Sequence, residues 1–213
     1  MAYQSLIVID NFYDNPDEIK KLALSLDFTT KSGGTYPGVE AIASEVDWTS
    51  SWKKLRDYIE EDVDAPCPLK DGFPQGKFRL ALKEHESDRP DLVHEDVHKW
   101  SGVIYLSSPE YCQGGIAYYK HKKTGALSSS PEWFSENYPY LLDVPRSELQ
   151  KELLAIFKDE SQWEKIGEIP MLYNRAIIIM AQCFHGSTGI FGTCKENARL
   201  TQNFQFYSPT DHL

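Results

Sequence analysis

Three side chains from two distant segments have the residue types and spacing to bind one metal ion. His94 and Asp96 are separated by one residue, and His185 follows the apolar run 176–181. On an extended strand, residues two apart lie on the same face, about 6.6 Å from each other, so His94 and Asp96 could bind a single ion. A histidine on a second strand would complete a set of two imidazoles and one carboxylate. Such a set covers one face of an octahedral Fe(II) and leaves three positions, enough for a bidentate 2-oxo acid and dioxygen (O2).

The same segment also spells His-Glu-x-x-His, so a second interpretation depends on the backbone conformation. On a helix, His94 and His98 could bind zinc, with Glu95 as the general base of a hydrolase. We favour the strand because residues 100–106 are β-type and leave barely two helical turns before Gly102. On a strand, His98 lies about 13 Å from His94, too far to share its ion. We therefore expect His98 at the rim of the site, where it could contact a substrate.

A candidate anion clamp lies near the C-terminus. Arg199 and Thr201 share one face of a predicted strand. A guanidinium presents a planar fork of donors that matches a carboxylate, and a nearby hydroxyl can add one more hydrogen bond. We expect Arg199 and Thr201 to hold the remote carboxylate of a 2-oxo acid.

The composition restricts the classes of function. The chain has 213 residues and a formal net charge of −10, and 41% of its residues are hydrophobic. This length fits a single domain spanning residues 1–213. We expect no nucleic-acid partner, because phosphate recognition needs clustered Lys and Arg. We expect no membrane partner, because no apolar run approaches the roughly 20 residues that cross a bilayer. Four cysteines without Cys-x-x-Cys pairing, and a first segment without the basic region of a signal peptide, indicate a reduced, cytoplasmic setting.

The pattern of apolar residues changes along the chain. In the first third, Asn15-Pro16 begins a predicted helix, and a second helix is predicted near residues 48–60. From Lys77 onward, six short segments rich in β-branched and aromatic residues predict strands. They are KFRLALK, LVHEDV, SGVIYLS, GIAYY, RAIIIMA and ARLTQNFQFY.

A long stretch, about residues 122–170, interrupts these strands. Ser130-Pro131 and Ser147-x-x-Gln150 resemble helix starts, the second in the form of a capping box. We therefore predict a mainly β domain with flanking helices, a sandwich or jelly roll, that carries a helical insertion at about 122–170.

Six segments in chain order carry a family resemblance. They are His94-x-Asp96, Trp100-Ser-Gly-Val-Ile-Tyr-Leu, Gly114-Gly115, Tyr173-Asn174-Arg175, His185-Gly186 and Arg199-x-Thr201. Together they resemble the iron- and 2-oxoglutarate-dependent oxygenase superfamily, on its prolyl-hydroxylase-like side and in an uncharacterised bacterial and viral branch. The resemblance covers about residues 5–207 and is most specific in the distal half. It implies a double-stranded β-helix, which is a cupin-like jelly roll with the metal at one end.

The resemblance also implies a chemistry. Fe(II) would be held by His94, Asp96 and His185, with 2-oxoglutarate and dioxygen as cosubstrates. Such enzymes release succinate and carbon dioxide while they hydroxylate an unactivated C–H bond. Halogenating relatives lack the carboxylate ligand, so Asp96 favours hydroxylation. The prolyl-hydroxylase side usually binds its cosubstrate through lysine where this chain has Arg199, which argues against a prolyl substrate.

Four further residues are candidates for the walls of the site. Tyr173 and Asn174 could line the cosubstrate pocket, although Asn174 equally fits turn chemistry before a strand. Trp100 either packs in the core or flanks the iron. A bend at the glycine pair that precedes Tyr118 could bring this tyrosine toward the substrate.

The expected function is that of a hydroxylase acting on a small molecule such as an amino acid, or on a side chain of a protein or peptide. Two alternatives stay open. One is a zinc-dependent hydrolase that uses Glu95, and the other is a jelly-roll binding module without catalysis.

Overall fold

A computed structural model of the protein describes residues 6–31, 36–63, 74–88 and 93–208. Two parts of the sequence-based predictions, the strand start at Leu92 and the reduced state of Cys67, lie outside the described residues. The cysteines within them, Cys112, Cys183 and Cys194, are free thiols.

The described chain forms two antiparallel β-sheets. The larger sheet has seven strands in the order β1-β8-β5-β10-β4-β3-β2, and the smaller has three in the order β7-β6-β9. In chain order the strands are β1 (Leu6–Ile9), β2 (Thr30–Lys31), β3 (Val39–Ala41), β4 (Lys77–Ala81), β5 (Trp100–Tyr105), β6 (Gly115–His121), β7 (Trp163–Pro170), β8 (Ala176–Met180), β9 (His185–Thr188) and β10 (Arg199–Phe206).

Five of the six predicted strand segments are confirmed as β4, β5, β6, β8 and β10. The sixth, LVHEDV, is wrong as a regular strand. Its described residues make only an isolated bridge, in which His94 pairs with His185. His185 itself begins β9 and does not end the preceding apolar strand.

The chain also forms four α-helices, α1 (Pro16–Ser25), α2 (Thr49–Arg56), α3 (Pro131–Asn137) and α4 (Arg146–Lys158). The first two confirm the helices predicted in the front third. For α3 the predicted start is confirmed, since the side chain of Ser130 accepts a hydrogen bond from the amide of Trp133 at 3.1 Å. For α4 the predicted capping box is wrong. This helix begins at Arg146, so Ser147 lies within its first turn. None of the described helices is long and apolar enough to cross a membrane.

The interrupting stretch is only partly helical. Its helical part ends at Gln162, and the last eight residues, Trp163–Pro170, are strand β7, paired with β6. The sequence-based boundary at about 170 is therefore too late. The reason is that β7 lies at the edge of its sheet and is mostly exposed, so it lacks the apolar alternation that marks a half-buried strand.

The larger sheet is covered on both faces. On one face, Ile178 of β8 packs in a core with Phe12, Ala23 of α1 and Leu55 of α2. On the other face, Ile177 and its neighbours pack against residues of the smaller sheet. Burial on both faces explains why β8 is a continuous run of apolar residues. The candidate site lies between the two sheets, where polar side chains replace this second core.

Candidate metal centre

The segment that carries the first two candidate ligands is extended at its start and irregular after it. The amides of His94 and Asp96 donate to the carbonyls of His185 and Ala181, at 2.9 and 2.8 Å. Residues 94–98, all of which are described, contain no helical turn. The zinc-hydrolase interpretation required a helix here, so that interpretation is wrong. The strand interpretation is right only for the bridge at His94.

The three candidate ligands meet between the sheets. One donor atom from each of His94, Asp96 and His185 lies within 4.8 Å of the others. The Nε2 atom of His185 is 3.6 Å from Oδ2 of Asp96, and the two imidazole centroids are 4.4 Å apart. Separations of this size leave space for an ion between the donors.

The imidazole of His185 is oriented for ligation. Its Nδ1 lies 2.8 Å from the carbonyl oxygen of Cys183, to which it donates a hydrogen bond. This bond leaves Nε2, the atom that faces Asp96, with its lone pair. A backbone carbonyl that fixes the tautomer in this way is the usual support of a metal-binding histidine.

The electrostatics of Asp96 suit a metal ligand. Burial raises the pKa of its carboxyl group, but the nearby imidazoles of His98, His185 and His94 outweigh this and hold the pKa at about 2. The side chain of Asp96 is 30% exposed because it faces a cavity. Asp96 is therefore ionised at neutral pH, which metal ligation requires.

Two neighbours of the ligands have other contacts. Nε2 of His98 lies 2.5 Å from Oγ of Ser101 and 3.4 Å from Asp96, and His98 does not belong to the three-donor group. Glu95 accepts hydrogen bonds from the amide of Ser129, at 2.7 Å, and from its hydroxyl. Burial raises the pKa of Glu95 despite these bonds. Glu95 thus joins the metal segment to the residues just before α3.

A cavity of about 600 Å³ opens beside the three ligands. Arg199 and Thr201 of β10, predicted as the anion clamp, both line it, and both are buried. The guanidinium of Arg199 donates to the carbonyls of Thr188, at 3.0 Å, and Gly115, at 2.9 Å. Its position is therefore fixed by the ends of β9 and β6.

Sequence reasoning missed a charged wall of the same cavity. Lys77 and Arg79 of β4 and Glu40 of β3 line it, together with Tyr36. The alternation of charged and apolar residues in β4 was the available signal, since Phe78 faces the opposite core. The sequence alone did not show that this charged face lies inside the protein.

Four predicted wall residues do not line the cavity. Tyr173 donates to Asp17 of α1, and Asn174 bonds to the backbone of Tyr13 with a left-handed φ of 60°, as its turn interpretation requires. Trp100 faces the core on the other side of β5, and the hydroxyl of Tyr118 accepts a hydrogen bond from the amide of Met180 at 2.9 Å. Of the predicted wall residues, His98 lines the cavity, and these four have contacts elsewhere.

A family model described as "Family of unknown function (DUF6445)" matches residues 2–206. The chain belongs to this family. No curated protein matches this DUF6445 member.

Two solved structures are similar to it at low sequence identity. One is described as the Fe(II)/(alpha)ketoglutarate-dependent dioxygenase TqaL, with a TM-score of 0.43 and 8% identity, over 96% of this chain and 83% of that chain. The other is the non-heme iron oxygenase OrfP in complex with Fe, with a TM-score of 0.37 and 11% identity, over 89% of this chain and 77% of that chain.

Proposed function

We propose that the protein is an Fe(II)- and 2-oxoglutarate-dependent oxygenase that hydroxylates an unactivated C–H bond. The observation that carries the proposal is the convergence of His94, Asp96 and His185 beside a cavity that Arg199 also lines. The substrate class is a small molecule or a side chain of a protein. A cytoplasmic location and the absence of nucleic-acid and membrane partners stay predictions.

The donor set fits iron. Two imidazoles and one carboxylate form the set typical of non-haem Fe(II) sites that keep open positions. The carbonyl of Cys183 supports His185, and the ionised state of Asp96 supplies the one negative charge of the set. A structural zinc site would instead close its coordination with a fourth protein ligand.

The surroundings of Arg199 fit a carboxylate. This residue is 2% exposed, and its Nε is buried without a hydrogen-bond partner among the described residues. The terminal nitrogens contact neutral carbonyls, and no described carboxylate forms an ion pair with the guanidinium. A buried cation with an unsatisfied donor is costly, and a carboxylate would satisfy both its charge and its Nε–H. We assign this place to the remote carboxylate of 2-oxoglutarate, with the buried hydroxyl of Thr201 beside it.

The strand order fits the fold that the proposal requires. From β4 to β10 the chain passes between the two sheets: β4 and β5 lie in the larger sheet, β6 and β7 in the smaller, β8 in the larger, β9 in the smaller and β10 in the larger. The bridge of His94 to β9 extends the smaller sheet by one short segment. We propose that these strands form a double-stranded β-helix, with the iron site near the start of β9.

The residues of this chain have distinct parts in the proposed reaction. When bound, iron and 2-oxoglutarate would supply the oxidative chemistry, in which the keto acid is converted to succinate and carbon dioxide, one atom of dioxygen enters succinate, and the other enters the new hydroxyl group. His94, Asp96 and His185 hold the metal. Arg199 sets the orientation of the keto acid by its fixed guanidinium. The apolar walls, which include Val103 and Ile179, keep water from the reacting end of the cavity.

The test is a measurement of 2-oxoglutarate consumption and succinate formation by the purified protein with Fe(II), in the presence and absence of dioxygen. We expect oxygen-dependent succinate formation, slow without the substrate and lost on addition of a chelator. If the protein neither turns over 2-oxoglutarate nor binds it with a divalent metal, the proposal is wrong, and the binding-module alternative gains support.

A further inference from the structure

A second charged group faces the cavity, apart from Arg199. The carboxylate of Glu40 lies between two cations, 2.7 Å from Nζ of Lys77 and 2.9 Å from Nε of Arg79. Their side chains are 9%, 13% and 24% exposed, so the group is largely shielded from bulk water. All three line the same cavity as the candidate metal ligands.

The strand register places Lys77 furthest from the proposed cosubstrate clamp, and Arg79, which lies opposite Thr201, between Lys77 and Arg199. On the neighbouring strand β4, Ala81 lies opposite Arg199 and Lys77 lies opposite Asn203. Four residues of extended strand place Lys77 about 13 Å further along the wall than Arg199. A 2-oxoglutarate held between Arg199 and the metal therefore does not reach Lys77.

Stability of the fold does not explain the group. Taking three charged groups out of water costs free energy, and apolar side chains of similar volume often stabilise a fold equally well or better. The opposite face of β4 is built in that way, since Phe78 and Leu80 pack in the core. On the cavity side, the described part of this wall instead carries two cations and one carboxylate.

We propose that Lys77 and Arg79 form a second anion subsite that binds the carboxylate of the substrate, with Glu40 as the residue that positions both cations. The substrate class is then a small carboxylic acid. This inference rests on the proposed function, because it treats the space between the charged wall and the metal as the substrate site. The geometry has a consequence for the reaction. A substrate anchored by its carboxylate presents a carbon remote from that group to the metal.

The first experiment uses the wild-type full chain and matched ligands. The probes are the proteinogenic amino acids, short hydroxy acids and short fatty acids, each compared with its primary amide. Binding is followed by thermal shift under nitrogen, with Mn(II) and 2-oxoglutarate and again without them, and stimulation of succinate formation is followed with Fe(II). We expect at least one acid to stabilise the protein and stimulate turnover, and its amide to do neither.

The second experiment uses variants of the cations. For an acid found in this way, we expect Lys77→Gln and Arg79→Gln each to weaken binding by about tenfold or more, the loss of one charge-assisted hydrogen bond. Lys77→Arg keeps the charge and should recover most of the affinity. Lys120→Gln is the matched control. Lys120 lies on β6, outside the cavity, and forms an exposed ion pair with Glu164 at 3.0 Å, so this variant should bind the acid normally.

The outcomes separate this inference from the proposed function. If the wild type turns over 2-oxoglutarate but no acid binds better than its amide, the carboxylate subsite is overturned and the oxygenase proposal stands. Normal acid binding by both folded glutamine variants overturns the subsite as well. The wild-type comparison of acid with amide decides the question even if a variant fails to fold. Failure of 2-oxoglutarate itself to bind or react contradicts the function on which the inference rests.

Discussion

His94 and His185 are joined through their backbones as well as by the approach of their side chains. Each amide donates to the carbonyl of the other residue, and both bonds are 2.9 Å long. The bridge fixes the relative position of two segments that are remote in sequence. The two side chains therefore start from neighbouring backbone positions, and their imidazole centroids are 4.4 Å apart.

The backbone bridge makes a simple prediction about His94→Ala. We expect the variant to lose metal binding and iron-dependent turnover, because one of three ligands is gone. Its unfolding free energy without metal should change by less than about 1 kcal/mol, since the two backbone bonds remain. Metal titration, succinate formation and denaturant unfolding check the three parts.

The neighbouring histidine is the control for this prediction. His98→Ala should still bind one metal ion per chain, because His98 is outside the three-donor group. Normal iron-dependent turnover by His94→Ala, or loss of the metal in His98→Ala, contradicts the assignment of ligands.

Arg199→Lys should mainly affect the cosubstrate. Lysine keeps the charge but cannot retain the guanidinium bonds to the carbonyls of Gly115 and Thr188 together with an Nε–H for a carboxylate. We expect the apparent KM for 2-oxoglutarate to rise about tenfold or more, with metal affinity unchanged. Steady-state kinetics at varied 2-oxoglutarate concentration measures this KM. Tyr173→Phe should leave this KM at its wild-type value, since Tyr173 contacts Asp17 outside the cavity.

Glu95→Gln distinguishes two roles of this carboxylate. If Glu95 were the general base of a hydrolase, this change would abolish activity. We expect the variant to keep iron-dependent turnover instead. Its metal affinity should fall by no more than about tenfold, because the bond from Glu95 to Ser129 is weakened. Metal titration and succinate formation check this outcome. Loss of all activity with intact metal binding would give Glu95 a chemical role.

The same variant tests the pKa of Glu95 by its effect on stability. Burial raises this pKa above the ordinary value of 4.5. The folded protein therefore binds the proton more tightly than the unfolded chain, and the resulting stabilisation is full below pH 4.5 and is lost as the pH rises through the raised value. As the pH rises from 4.5 through the raised pKa, we expect the unfolding free energy of the wild type to fall relative to that of Glu95→Gln. Denaturant unfolding of the metal-free proteins measures this difference. A difference that is constant with pH contradicts the raised pKa.

Gly115→Ala should destabilise the smaller sheet. A Cβ at this position would lie 1.8 Å from the carbonyl oxygen of Ile169 on β7, so the paired strands must separate. We expect a loss of about 2–3 kcal/mol in unfolding free energy, and a higher KM for 2-oxoglutarate because the carbonyl of Gly115 holds Arg199. Gly167→Ala on β7 is the matched control, since its Cβ would meet no atom within 4 Å. Equal stability of the two variants contradicts the close packing at Gly115.

The local features of this chain were readable from its sequence because each has a local cause. The apolar run of β8 predicts a strand buried on both faces, and Ser130-Pro131 predicts a helix start, since side chain and backbone there interact within a few residues. The polar edge strand β7 carries no such pattern, and its place in the fold depends on its partner β6. The predicted capping box at Ser147 failed too, because the helix begins at Arg146, two residues earlier than a helix capped by Ser147 would.

By itself, the sequence determined which residue types were available for a metal and for a carboxylate: His94, Asp96, His185, Arg199 and Thr201. Only the tertiary structure decided that these side chains face one cavity, that Tyr173 and Trp100 face elsewhere, and that Lys77, Arg79 and Glu40 form a charged wall inside the protein. The physical reason is that strand pairing is a long-range interaction. The pairing of β4 with β10 and the bridge between His94 and His185 each join segments that are far apart along the chain. The local sequence of one segment does not indicate which other segment it will pair with.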